Sequence, residues 1–387
     1  MPRLLLVLAC LLLCACGADE APGGAAPTPA DSFAAVQREA RGQTVRWWMY
    51  GGDDRINGYV EDVVKPAAKR AGVTLDQVRV SDTADAVQRV IAQRRAGKTS
   101  GGAVDLIWIN GENFAAGKRA GLWLEDWADE LPSAKYVDFE DPSVARDFGV
   151  PIDGQEAPWS RAAFAFAHDS AKVPEPPRDF GALLAYAREN PGRFTYPAPP
   201  DFTGSAFVRQ VVAALGEQEA FDYLAQLKPF MYREGRSLPK TVAELDDLFA
   251  NSEVDFTMSY ESNFVAARVD RKTFPRTARP FVIGKGALTN VSYNTIPADA
   301  RNQAGARVVA DLLMSPALQA AKADPGVLGI DTVIDVSRLP EDERAKFEAS
   351  ESDRYLLKDL GEVTEELPAD EVPRLEKRWT REVLRDG

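Results

Sequence analysis

The sequence predicts an α/β protein built as two lobes, with a binding edge at the tips of its strands. Three observations predict it. The chain has 387 residues, more than a single core usually serves. From Thr44 onward, β-branched and aromatic runs alternate with helical patterns through short links, which argues for parallel sheets covered on both faces. The apolar run 104–109 then breaks into Asn110-Gly111-Glu112-Asn113, a cluster of hydrogen-bonding groups where a buried strand should simply turn. In open α/β sheets ligands bind beyond the carboxyl ends of the strands.

The first residues address the protein rather than build it. "MPRLLLVLACLLLCACGADE" has a charged start at Arg3, an apolar run from Leu4 to Leu13 and small residues before Cys16. The run is too short to span a bilayer and reads as an export signal. Leu13-Cys14-Ala15-Cys16 resembles a bacterial lipobox, which implies cleavage before Cys16 and lipid on that residue. A second box ending at Cys10 leaves a very short apolar core. All three cysteines lie in this segment, so the mature domain has no disulfide and no thiol chemistry. Residues 17–33 are rich in Gly, Ala and Pro and read as a tether.

The elements follow in order. The run 44–50, "TVRWWMY", is a strand ending at Gly51-Gly52, and Asp53-Asp54 caps a helix that Gly72 stops. "QVRV" (77–80) is a second strand. Ser81, Asp82 or Thr83 caps a helix with Val87, Val90 and Ile91 on one face and Gly97 at its end. The strand 104–109 and a helix to Gly121 complete the first set. Residues 132–160 show no periodicity. A strand at 162–169, a proline-bounded helix at 174–190, and a strand, loop and helix over 193–215 begin the second. The run 254–264 repeats the logic of 104–113, an apolar strand ending in Ser259-Tyr260-Glu261-Ser262-Asn263. A strand at 287–296 and a helix follow, and the tail ends in an amphipathic helix. The expected division is residues 1–15 as signal, 16–40 as lipidated tether, 41–160 with 277–387 as the first lobe carrying the C-terminal helices, and 161–276 as the second lobe.

Composition excludes several functions. With 46 basic and 59 acidic residues the formal charge is -13, which repels nucleic acid. His168 is the only histidine, so a multi-histidine zinc site is impossible and nothing places it in a catalytic triad. No Walker loop and no dinucleotide fingerprint follows the first strand. Ser237-Leu238-Pro239-Lys240 with Ser292-Tyr293-Asn294 imitates two motifs of penicillin-recognising enzymes, but the third is missing downstream and Pro239 breaks the required helix turn. No acidic pair stands in a context that selects it for glycoside cleavage. No enzyme and no cofactor is implied.

Several stretches together resemble one family. "VSDTADAVQRVIAQRRAGKTSGGAVDLIWINGENFAAGKRAGL" (80–122), "APWSRAAFAFAHDS" (157–170), "PAPPDFTGSAFVRQV" (197–211), "VDFTMSYESNFVA" (254–266) and "IPADARNQAGARVVADLLMSPALQAAKADPGVLG" (296–329) resemble the extracellular solute-binding proteins of ABC importers, family 1, and within it the YnjB-like subgroup. The resemblance covers about 40–330. It implies a type II-like periplasmic-binding-protein fold with a hinge, a monomer that closes on a small solute in the cleft between its lobes, and delivery to a membrane permease. A lipid-anchored sensor using the same cleft is the alternative, and a secreted hydrolase a more distant one.

The site residues follow from both lines. In the first lobe they are Tyr50, Gly51, Gly52, Asp82, Asn110, Gly111, Glu112 and Asn113. Paired glycines let a ligand approach the backbone. In the second lobe Thr203-Gly204-Ser205 opens a helix whose free N–H groups suit an acceptor or anion. Tyr260 and Glu261 end a strand at the cleft, and Trp159 and Arg161 precede the expected hinge. Acids (Asp82, Glu112, Glu261) with aromatics (Tyr50, Trp159, Tyr260) lean toward an organic cation of polyamine- or thiamine-like character. Arg161 and the Thr203 helix start pull toward an anionic group.

Overall fold

The computed structural model describes residues 29–261, 263–324, 326–347, 354–357 and 359–385. The signal, Cys16 and most of the tether lie outside the described residues. Among the described residues no helix is long and apolar enough to cross a membrane.

The strands are β1 (Thr44–Tyr50), β2 (Thr74–Val80), β3 (Leu106–Ile109), β4 (Arg146–Asp147), β5 (Val150–Pro151), β6 (Glu156–Ala163), β7 (Ala165–Asp169), β8 (Phe256–Ser259), β9 (Ala278–Phe281), β10 (Leu288–Thr295) and β11 (Thr364–Glu365). β1 pairs in parallel with β2 and β3, as the short strand–helix links require. β10 returns antiparallel to β3 and, on its other edge, to β6, with β11 beside its first residues. A second sheet has the order β8-β7-β9.

Two crossings join the sheets. β6 runs to Ala163 and β7 starts at Ala165, so the apolar run 162–169 is the end of one strand and the whole of the next. The chain returns between Phe281 and Leu288. This corrects the expected lobe limits. β6 stays with β10 past residue 160, and β9 hydrogen-bonds to β7, so the second set extends past 276 to Phe281.

Each sheet has its own core. One cluster holds Trp47, Met49, Leu106, Trp127, Trp159 and Tyr293, and the other Phe164, Phe166, Phe207, Phe256 and Phe281. The amphipathic end of the chain, the helix Glu371–Trp379, buries Val372, Leu375 and Trp379. The last two join the second cluster, which corrects its expected place in the first lobe. The Trp379 Nε1 donates to the Tyr196 hydroxyl (2.9 Å), and the Lys228 Nζ donates to the carbonyls of Val383 (2.7 Å) and Leu384 (3.0 Å). Arg374 and Arg378 both reach Glu217.

The expected tether is also corrected at its end. Residues Pro29–Ala40 form a helix, with Phe33 and Ala40 buried in the first cluster, packed along Gln303–Met314. His168 is structural. It is buried on β7, its Nδ1 bonds the Val173 carbonyl (2.7 Å), and burial pushes its pKa down. Ser292 sits buried against Ser160, hydroxyl to hydroxyl at 2.6 Å, where β10 pairs with β6.

Candidate functional site

The tips of β1, β2 and β3 form one wall of the space between the lobes. After β1, Tyr50 stays 37% exposed and its ring lies over Gly52, where a Cβ would meet the phenol oxygen at 2.3 Å. Gly51 is pressed against the side chain of Arg79. Asp53 caps the next helix, accepting from the Arg55 and Ile56 N–H groups. After β2, Asp82 is exposed and accepts from the Ala84 N–H (2.8 Å). After β3, Asn110 is the extended residue just before the helix Gly111–Arg119, and Glu112 and Asn113 are half-buried on its first turn. Gly111 has φ +61°, a left-handed conformation that a side chain strains. A Cβ there would still meet the ring of Phe148 only at van der Waals contact, 3.4 Å, so the conformation rather than the space asks for glycine.

The opposing wall comes from the end of β8 and the start of the helix Phe202–Leu215. Charges on each wall act on groups of the other. Burial, then the charges of Asp53, Asp201 and Glu261, hold the Tyr50 phenol above its usual value. Asp201 and Glu261 belong to the second lobe. Burial and then Asp53 raise the Glu261 carboxyl, while Arg268 and Arg55 oppose the rise. Farther along, burial raises Glu112; Arg209 lowers it, and Glu376 and Asp82 raise it again. Glu376, on the C-terminal helix, is likewise raised by burial, with the Ser205 hydroxyl and Arg209 working the other way. The expected residues Tyr50, Glu261, Asp82 and Glu112 therefore come together in two acidic groups. One holds Asp53, Asp201 and Glu261, and the other Asp82, Glu112 and Glu376.

Four expectations are corrected. The start of the helix at Thr203-Gly204-Ser205 is not an open anion cradle. The Asp201 carboxylate takes the Gly204 N–H (3.0 Å) and also faces those of Thr203 and Val242. Thr203, Gly204 and Ser205 are buried, and a Cβ at Gly204 would strike the Pro197 carbonyl at 1.9 Å, so close packing explains that glycine. Trp159 is 0% exposed and edge-on to Trp108 (4.7 Å) and Trp47 (5.8 Å), a core residue with no face for a solute. Arg161 is spent on its own neighbours: Nη2 donates to Asp141 (2.8 Å) and Nη1 to Ser143 (2.8 Å). Tyr260 is 6% exposed, and its hydroxyl donates to Glu366 (2.8 Å).

The sequence reading missed Asp201, Phe202, Glu376 and the three guanidiniums at the cleft, Arg55, Arg209 and Arg268. Each guanidinium is committed. Arg55 donates to the Leu328 carbonyl, Arg268 pairs with Asp246 (2.5 Å), and Arg209 forks onto Glu366. Among the described residues, neither Glu112 nor Glu376 forms an ion pair. The cleft thus keeps unpaired carboxyls, while these three guanidiniums are held by groups of the protein.

A family model for bacterial extracellular solute-binding proteins matches residues 62–346. The chain belongs to this family. As a solute-binding protein it is an exported binder of small molecules and not an enzyme. It is 36% identical over 370 residues to Protein YnjB of Escherichia coli (strain K12), which covers 91% of this chain and 94% of that one and bears out the YnjB-like resemblance. Solved structures share its fold. The periplasmic binding protein AfuA from Actinobacillus pleuropneumoniae, with exogenous fructose-6-phosphate bound, matches with a TM-score of 0.63 at 14% identity, covering 88% of this chain and 99% of that chain. A periplasmic thiamin binding protein matches with a TM-score of 0.63 at 20% identity, covering 88% and 96%. A putative spermidine/putrescine ABC transporter from Listeria monocytogenes matches with a TM-score of 0.59 at 15% identity, covering 87% and 99%. The two-lobed, type II-like periplasmic-binding-protein architecture is thereby shown for this solute-binding protein.

Proposed function

We propose that this protein captures a small, positively charged organic solute between its lobes and delivers it to the permease of an ABC importer, held at the membrane by lipid on Cys16. The observation that carries the reading is the charge of the cleft. Glu112 from the first lobe and Glu376 from the C-terminal helix face one another across the lobes with raised carboxyl pKa values and no partner cation among the described residues. Two half-buried acids whose carboxyls are raised by desolvation gain when a cation enters, because it replaces lost hydration. A group bonded to both gains further from charge-assisted hydrogen bonds.

The aromatics support the same class. Of the few large hydrophobic side chains left exposed, two border the cleft, Tyr50 at 37% and Phe202 at 43%. Phe202 lies 5.3 Å from the Tyr260 ring. Such faces attract a cation by about 0.5–2 kcal/mol each. The opposing features at Arg161 and the Thr203 helix start are satisfied within the protein. Delivery to a permease and a lipid anchor rest on the family and on the lipobox resemblance at Cys16.

A thermal-shift screen of organic cations, neutral sugars and sugar phosphates tests the reading. A cation present at 100 times its dissociation constant adds about 2.7 kcal/mol to the stability of the folded state. Stabilisation confined to sugar phosphates or neutral sugars would sink it.

A further inference from the structure

We infer that Glu366, on the C-terminal segment, sets the charge sign of the cleft by committing the Arg209 guanidinium, and is a specificity-determining positioning residue. This rests on the reading of the cleft as a cation site.

Arg209 is the positive charge that acts on both Glu112 and Glu376. Its side chain is 1% exposed. The guanidinium lies between the lobes, 5.6 Å from the Phe148 ring on one side and 5.7 Å from the Phe202 ring on the other. A buried arginine fork beside a cleft is ordinarily a receptor for carboxylate or phosphate. Here the receptor is filled from within. The Arg209 Nε donates to Glu366 Oε2 (2.7 Å), Nη2 donates to Oε1 (2.9 Å), and Nη1 donates to the Ser205 hydroxyl (2.8 Å). The Tyr260 hydroxyl donates to the same Oε1 (2.8 Å).

The donor of the carboxylate is held from elsewhere. Glu366 follows β11, whose Thr364 and Glu365 pair with Leu288 and Thr289 of β10 at the return crossing. The backbone is thus fixed to one sheet while the carboxylate holds a helix of the other lobe. Stability alone does not explain the arrangement, because a buried ion pair is often no better than packed apolar residues of the same volume. Its electrical effect is specific. With Arg209 neutralised, the charge left to face a solute is that of Glu112, Glu376 and Asp82. With Glu366 neutral, Arg209 would regain its anion-receiving fork beside them.

The test uses the full chain and its Glu366→Gln variant, with inorganic phosphate as the anionic probe and thiamine and spermidine as cationic ones. The expected result is phosphate binding about tenfold or more tighter in the variant than in the wild type, together with a loss of cation affinity of similar size. A purely structural carboxylate would lower the melting temperature and move neither affinity. A folded Glu366→Gln protein that binds phosphate no better than the wild type would overturn the inference. Should that variant fail to fold, the Arg209→Gln/Glu366→Gln double variant decides. Removing both charges together should leave the ratio of cation to phosphate affinity within about threefold. A change of about tenfold or more would mean that one of the two residues meets the solute itself, which also overturns the inference. Wild-type protein that prefers phosphate to both cations would instead sink the reading of the cleft, whatever the variants do.

Discussion

Trp379→Ala is expected to unfold the second lobe far more easily, although the residue lies only eight positions before Gly387. The indole is 1% exposed, and Leu375 and Val383 of the same chain end are buried in the second core with it. Deleting a fully buried large aromatic costs about 3–5 kcal/mol in lost transfer energy and residual cavity. The substitution also strands the Tyr196 hydroxyl, which is 0% exposed and receives the indole N–H at 2.9 Å. An unpaired buried polar group costs about 1–3 kcal/mol, though the two effects are not additive. About 4 kcal/mol is therefore the expected loss. At a urea slope of about 2–3 kcal/mol per molar, the midpoint should fall by about 1.5 M. Trp379→Phe keeps most of the ring and loses the hydrogen bond, and should cost about 1–2 kcal/mol. Urea titration followed by near-ultraviolet circular dichroism reads both. A loss below about 1 kcal/mol for the alanine variant would refute the docking of the C-terminal helix into this core. Equal losses for the two variants would refute the role given to the packing of the ring, and no loss for the phenylalanine variant would refute the role given to the hydrogen bond.

Two further substitutions probe the first lobe. Glu112→Gln should weaken binding of a cationic solute about tenfold or more, the loss of one charge-assisted hydrogen bond, with a melting temperature equal to or above that of the wild type; unchanged affinity by calorimetry would return Glu112 to a helix-start residue. Asp147 is buried, and burial pushes its carboxyl up to about 8, with the Gly111 N–H opposing and Glu112 adding to the rise. A raised carboxyl binds its proton more tightly in the folded state, so its contribution is fully present below pH 3.8 and is lost as pH rises toward 8, at about 1.4 kcal/mol per pH unit. Asp147→Asn should flatten that part of the stability profile and be more stable than the wild type above pH 8. A slope unchanged in the variant would locate the titration elsewhere.

The fold was legible where local chemistry repeats. β1, β2 and β3 and the helices after them follow from β-branched runs, glycine stops and acidic caps, and their polar tips pointed to the right edge of the sheet. What could not be read was which partner each group had already found. Thr203-Gly204-Ser205 looks like an open helix start because nothing in sequence shows the Asp201 side chain turning back onto it. Arg209 lies mid-helix, 157 positions before its partner Glu366, and no local pattern joins them. The C-terminal helix announced which face it buries but not which lobe receives it, and so Glu376 went unseen. Pro29–Ala40 was read as tether for its composition, although Phe33, Val36 and Ala40 fall at helical spacing and carried the missed signal. Trp159 alternates with residues on both faces of β6, and only the structure tells core from cleft.

The fold itself is compatible with either charge of solute, since a fructose-6-phosphate-bound protein and a thiamin binding protein match it with the same TM-score of 0.63. Titration calorimetry of the full chain with thiamine, spermidine and fructose 6-phosphate therefore bears most directly on the charge of the cleft. The unpaired carboxyls at Glu112 and Glu376 predict that at least one of the two cations binds, about a hundredfold or more tighter than the sugar phosphate. Tighter binding of fructose 6-phosphate than of either cation would contradict the assignment.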